Sequence, residues 1–181
     1  MSHTASCTRQ NKLILGGGCF WCLEAIFLRI DGVIKVTSGY AGGASLNPDY
    51  HQICQGNTGH AEVIEIVYDN KQINIETLLS VFFATHDPTT LNRQGNDRGT
   101  QYRSIIFYSD RDEEEQIKQC IEQNQKEFDK KIVTQVVPIQ VFYPAEIEHH
   151  NYYALNSSQA YCQMVIKPKL NKLIEWKTNQ S

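Results

Sequence analysis

The chain has 181 residues, with 17 basic and 20 acidic side chains and a formal net charge of −3. That length suits one well-packed domain and is short for two, and the weak negative charge without a lysine or arginine cluster argues against nucleic acid as the main partner. No apolar run reaches the roughly 18 residues of a membrane span. Residues 1–11 are polar and lack the apolar centre of a secretory signal, so they read as a disordered lead to a single catalytic domain over 12–181 in a cytoplasmic, monomeric protein. In a chain of this kind six cysteines suit reduced or redox-active thiols better than a disulfide framework.

Lys12 to Leu15 reads as a short strand, followed by Gly16-Gly17-Gly18. Cys19, Cys22, Leu23, Ile26, Phe27 and Ile30 then recur with the period of an amphipathic helix. Val33 to Tyr40 is a second strand, closed by the turn-rich Gly39-Tyr40-Ala41-Gly42-Gly43, and a short element lies near Tyr50 to Cys54. Ala61 to Tyr68 is β-branched and strand-like, and Asn74 can cap a helix over Ile75 to Thr85. His86 to Gln101 is a long polar loop, of the length that usually carries function or is disordered. Arg103 to Tyr108 is a strand, after which Ser109 is expected to cap a charged helix running to about Phe128. Val136 to Phe142 carries Pro138, which places it at a sheet edge. A short polar helix near Glu146 to Leu155, the Tyr161-Cys162 pair and a last helix after Pro168 complete a two-layer α+β sandwich.

Cys19 sits where a glycine-rich turn feeds a helix, and the free N–H groups there favour thiolate over thiol. The glycines put no side chain beside it, leaving room for a substrate. It reads as a nucleophile, with Phe20 and Trp21 able to line a small apolar pocket. Cys22 reads either as core packing or as the partner in a C-x-x-C couple. A carboxyl on an apolar strand face has a raised pKa and suits a general acid. Glu62 and Glu65 lie on opposite faces of the Ala61–Tyr68 strand, and the strand pattern leaves both open. His60 is balanced between a structural and a functional role. His149 and His150, with Glu146 and Glu148, are adjacent in sequence and diverge, so no metal site is expected. Cys162 is a candidate second redox thiol.

Gly18-Cys19-Phe20-Trp21, Gly39-Tyr40-Ala41-Gly42-Gly43, Thr58-Gly59-His60-Ala61-Glu62 and His86-Asp87-Pro88 resemble the signatures of type A methionine sulfoxide reductases. The likeness continues through Asn92 to Asp97 and Gly99 to Ser104, in order, from about Lys12 to Leu170. It implies a ferredoxin-like α+β sandwich with a mixed sheet, added helices and a coiled C-terminal tail. It implies Cys19 as nucleophile, Glu62 as the acid that protonates the sulfoxide oxygen, and Phe20 and Trp21 around the substrate methyl group. Tyr50, Asp97 and Tyr102 match residues that orient the substrate, and Cys162 matches a recycling cysteine. The reaction implied reduces the S epimer of methionine sulfoxide, free or in proteins, through a sulfenic acid and an intramolecular disulfide. Thioredoxin or a similar dithiol is the implied partner, and no metal, flavin or nicotinamide is required. Two features depart from many members: no cysteine follows Cys162, and Cys22 stands where glycine is common. The resolving thiol is Cys162 or Cys22; Cys22 points along the buried stripe, where a bridge would strain the first helical turn, so Cys162 on the tail is the expected one.

Overall fold

Leu13 and Leu15 face one side of the first strand and Ile14 the other, and all three are buried, so this strand needs cover on both faces. The computed structural model describes residues 10–180. Of the expected lead, residues 1–9 lie outside the described residues, while residues 10 and 11 already belong to strand β1, Gln10–Gly16. The chain continues through α1 (Phe20–Phe27), β2 (Val33–Ala41), α2 (Tyr50–Cys54), β3 (Ala61–Asp69) and α3 (Ile75–Thr85). Next come a small hairpin of β4 (Arg93–Gln94) and β5 (Asp97–Arg98), then β6 (Ile105–Tyr108) and α4 (Arg111–Gln125). The chain closes with β7 (Gln135–Pro138), β8 (Tyr143–Pro144), α5 (Tyr152–Leu155) and α6 (Lys167–Asn179).

The sheet order is β7-β6-β1-β3-β2-β8. Its four central strands pair antiparallel, which is the ferredoxin-like pattern of two interleaved β-α-β units, β1-α1-β2 and β3-α3-β6. β7 joins parallel to β6, making the sheet mixed. Pro138 closes β7 at the edge, where a residue without an N–H is tolerated. The main core fills the face under α1, α3, α4 and α6; Ile14, Ala61, Val63, Ile105 and Phe107 form a smaller core on the other face.

Four local expectations need correction. Asp110, not Ser109, caps α4: its carboxylate accepts from the Glu113 N–H at 2.9 Å, while Ser109 bonds the Glu113 side chain. The long loop after α3 is ordered by the β4–β5 hairpin and a 3₁₀ turn over Thr100–Tyr102. The polar helix near Glu146 breaks into a 3₁₀ turn, Ile147–His149, and α5, because Asn151 between them takes a left-handed conformation at φ 54°. Finally, the last helix expected after Pro168 is present, but helical backbone begins before it, so the tail around Cys162 is helical and not coiled. Helical backbone runs from 160 to 179, with a π turn over Cys162–Ile166. Pro168 offers no N–H and crowds the carbonyl four residues back, and the helix widens at that point.

Candidate active site

The three glycines are required by close packing around the nucleophile candidate, and not by an open approach for substrate. A Cβ on Gly16 would lie 2.6 Å from the Glu62 carbonyl, and one on Gly17 would lie 2.9 Å from the His86 and Phe82 rings. Gly18 has φ +91°, a conformation that L side chains rarely adopt. This tight turn presses the end of β1 against β3 and delivers Cys19 to the N-cap of α1, in extended conformation. The next residue is locked to the strand: the Phe20 N–H donates to Glu62 Oε2 at 3.0 Å.

β3 distinguishes the two carboxylates. Glu65 reaches the surface and pairs with Lys12 at 3.1 Å, whereas Glu62 is 1% exposed on the face shared with Ile64 and Ile66. Burial pushes the Glu62 carboxyl up to about 8, against the Phe20 N–H, which favours the ionised form. It therefore carries a proton at neutral pH. Cys19 departs from the thiolate expectation. Burial, then the hydrogen bond with Cys22 and the charge of Glu62, push its thiol well above the usual value. One N–H of the helix start is spent on Glu62 and cannot serve the sulfur. Cys22 moves the other way, held down to about 7 chiefly by its hydrogen bond with Cys19, with burial opposing and Lys169 and Tyr161 assisting.

Around these groups stands a box of rings. Phe20 is fully buried, 5.7 Å from Tyr40 and 6.4 Å from Tyr50 between centroids. Trp21 stacks on Tyr152 at 3.6 Å and donates through Nε1 to His149 Nδ1 at 3.2 Å. His149 lies 4.3 Å from the Tyr50 ring. Glu146 fixes two of these tyrosines, accepting from the Tyr50 N–H at 2.7 Å and the Tyr40 hydroxyl at 2.8 Å. The phenols of Tyr50 and Tyr102 are raised by burial and then by Glu62, with Cys19 contributing to both, so both hydroxyls stay protonated near Glu62 and Cys19. Asp97, at the end of the β4–β5 hairpin, accepts from the Tyr161 hydroxyl at 2.7 Å.

The structure thus gathers Cys19, Phe20, Trp21, Tyr50, Glu62, Asp97 and Tyr102 in one place. Cys162 is close to Cys22, whose charge together with burial raises its thiol, but it has no exposed surface and sits inside the helical run. His60 is structural: its ring accepts from the Gly43 N–H at 3.0 Å and meets the Ser45 carbonyl at 2.7 Å. Arg103 braces the same region, donating to the carbonyls of Gly59 and Thr100. Sequence reasoning missed Tyr152, Tyr161 and Lys169, and weighed Glu146 and His149 only as metal ligands. The spacing of Glu146 and His149 was a usable signal, since their side chains meet at 3.8 Å across one 3₁₀ turn.

The model of the peptide methionine sulfoxide reductase family matches residues 11–181. The chain is 58% identical over 164 residues to a peptide methionine sulfoxide reductase MsrA of Acinetobacter baumannii, covering 91% of this chain and 94% of that one. The crystal structure of reduced Mxr1 from Saccharomyces cerevisiae superposes with a TM-score of 0.81 at 34% identity, over 84% of this chain and 89% of that one. The same yeast protein in complex with Trx2 superposes at 0.57 with 26% identity, over 79% and 84%. With its nucleophile candidate at a glycine-fed helix start and a protonated carboxyl beside it, this chain belongs to the peptide methionine sulfoxide reductase family and is an oxidoreductase of its type A.

Proposed function

We propose that the chain reduces the S epimer of methionine sulfoxide to methionine, with Cys19 as nucleophile and Glu62 as general acid. The observation that carries this is a carboxyl 1% exposed and raised to about 8, hydrogen-bonded to the residue that follows Cys19. A sulfoxide oxygen accepts a proton only as its bond to sulfur breaks, and an acid still protonated at neutral pH supplies it at that moment. The Cys19 sulfur attacks the sulfoxide sulfur, passing its proton to the Cys22 sulfur, which is held down to about 7 one helical turn away. The oxygen is transferred to Cys19. The substrate sulfur is reduced by two electrons and Cys19 is oxidised by two, to a sulfenic acid. Tyr50, Tyr102 and Asp97 orient the sulfoxide, and the Phe20 and Trp21 rings receive its methyl group.

A second thiol, Cys22 or Cys162, then closes a disulfide with Cys19, and thioredoxin reduces it by thiol–disulfide exchange. The yeast relative in complex with Trx2 supports that partner. A groove of about 580 Å³ extends past Asp97 and Tyr161 along Met164, Val165 and Pro168, which supports methionine sulfoxide within a polypeptide as well as the free form. The test is single-turnover methionine release from each epimer. Cys19→Ser abolishes it even in dithiothreitol, and Glu62→Gln slows it roughly 100-fold or more, while Glu65→Gln does not. Substantial release by Cys19→Ser refutes the assignment.

A further inference from the structure

Resting on that reading, we infer that the thiol which closes the disulfide with Cys19 is Cys22. Tyr161 and Lys169, both from the C-terminal helical segment, are the positioning residues that prepare it. Cys19 precedes α1 in extended conformation and Cys22 is the third residue within it. The first sulfur is therefore outside the helical repeat, and joining the two does not require the first turn to unwind. The backbone already holds the two residues together, the Cys22 N–H donating to the Cys19 carbonyl at 3.1 Å.

The groups facing Cys22 come from four elements. Cys19 is at the α1 start, Glu62 on β3 and Asp97 on β5, with Tyr161, Cys162 and Lys169 on the helical segment. Asp97 disfavours a negative sulfur. Lys169 favours it, its Nζ reaching over the glycine turn to within 3.8 Å of where a Gly18 Cβ would stand. The Tyr161 hydroxyl lies 3.9 Å from the Cys22 sulfur and 2.7 Å from Asp97 Oδ2. It carries one proton, given to Asp97 at rest and available to Cys22 when that sulfur ionises. Cys162 is no more exposed than Cys22, and differs in its thiol, which burial and the Cys22 charge raise. In the step itself the Cys22 sulfur attacks the Cys19 sulfenic sulfur. The S–S bond forms, the S–O bond breaks, and the oxygen leaves as water with the proton that Cys22 gave up.

The experiment adds substoichiometric methionine sulfoxide to the full-length reduced protein without reductant. Free thiols are blocked at timed intervals, and disulfides and probe-trapped sulfenic acid are mapped by peptide mass spectrometry across pH 5–9. The wild type gives a Cys19–Cys22 bridge. Cys22→Ser still converts the added sulfoxide to methionine but leaves Cys19 trapped as sulfenic acid, with no bridge. Lys169→Gln moves the midpoint of bridge formation to higher pH and slows it about three- to tenfold at pH 7, while Lys169→Arg restores it. A Cys19–Cys162 bridge in the wild type, or a persistent sulfenic acid, overturns the role of Cys22. A Lys169→Gln midpoint equal to that of wild type overturns the role of Lys169. Absence of methionine release by the wild type refutes the proposed function instead, and so is told apart.

Discussion

Replacing Glu62 by glutamine is expected to stabilise the protein as the pH rises, while removing its chemistry. The carboxyl ionises near 4.5 in an unfolded chain and at about 8 in the folded one. Between those values the folded state holds a proton that the unfolded state has released, so stability falls as pH rises through this window and the loss is complete above pH 8. At about 1.4 kcal/mol for each pH unit, the native state forfeits roughly 3 kcal/mol by pH 7 and 4–5 kcal/mol by pH 9, relative to a neutral amide of the same shape. Glutamine has no ionised form to bury, and its carbonyl oxygen can still accept from the Phe20 N–H. For a domain of this size the gap at pH 9 corresponds to a rise in Tm of roughly 10 °C. The assay is thermal unfolding of wild type and Glu62→Gln, with secondary-structure and aromatic signals followed together at pH 4, 7 and 9. The two proteins differ little at pH 4 and diverge steadily above it. A difference independent of pH would mean that the buried carboxyl does not hold its proton at neutral pH, and the general-acid argument would fall with it.

His86 behaves oppositely. Burial between the Phe82 carbonyl and Ser104 lowers it to about 3, so stability is lost as pH falls below 6.5; from pH 7 to 4 wild type should lose roughly 3 kcal/mol more than His86→Gln in urea titrations, and equal losses would contradict its neutral burial. Gly43→Ala would place a Cβ 2.3 Å from the His60 nitrogen and 2.5 Å from the Thr58 carbonyl, both backbone atoms; the expected cost is roughly 2 kcal/mol or more in chemical denaturation. Glu146→Ala deprives the buried Tyr40 hydroxyl and the Tyr50 N–H of their acceptor. It should cost roughly 2 kcal/mol and raise KM for methionine sulfoxide more than it lowers the single-turnover rate, as steady-state and rapid-quench kinetics would show.

Much of this protein was determined by local sequence. The strand at Ala61–Asp69, the Asn74-capped helix and the helix opening after Cys19 follow from period and capping, since short-range sterics and backbone hydrogen bonding decide them. The motif blocks from Gly18 to Ser104 were enough to indicate the family. What remained open was decided by long-range packing. Only the sheet shows that Glu62 turns into the core while Glu65 turns to Lys12, because a strand pattern gives two faces without saying which is covered by helices. Only the fold brings Tyr161 and Lys169, far along the chain, against the Cys19–Cys22 pair, and places Cys162 inside a helix where the sequence suggested a coil. The protonation of the site was equally illegible: the helix start alone argued for a thiolate at Cys19. Burial, the Cys22 sulfur and the Glu62 carboxyl, all set by tertiary contacts, outweigh that half-charge and keep its proton in place.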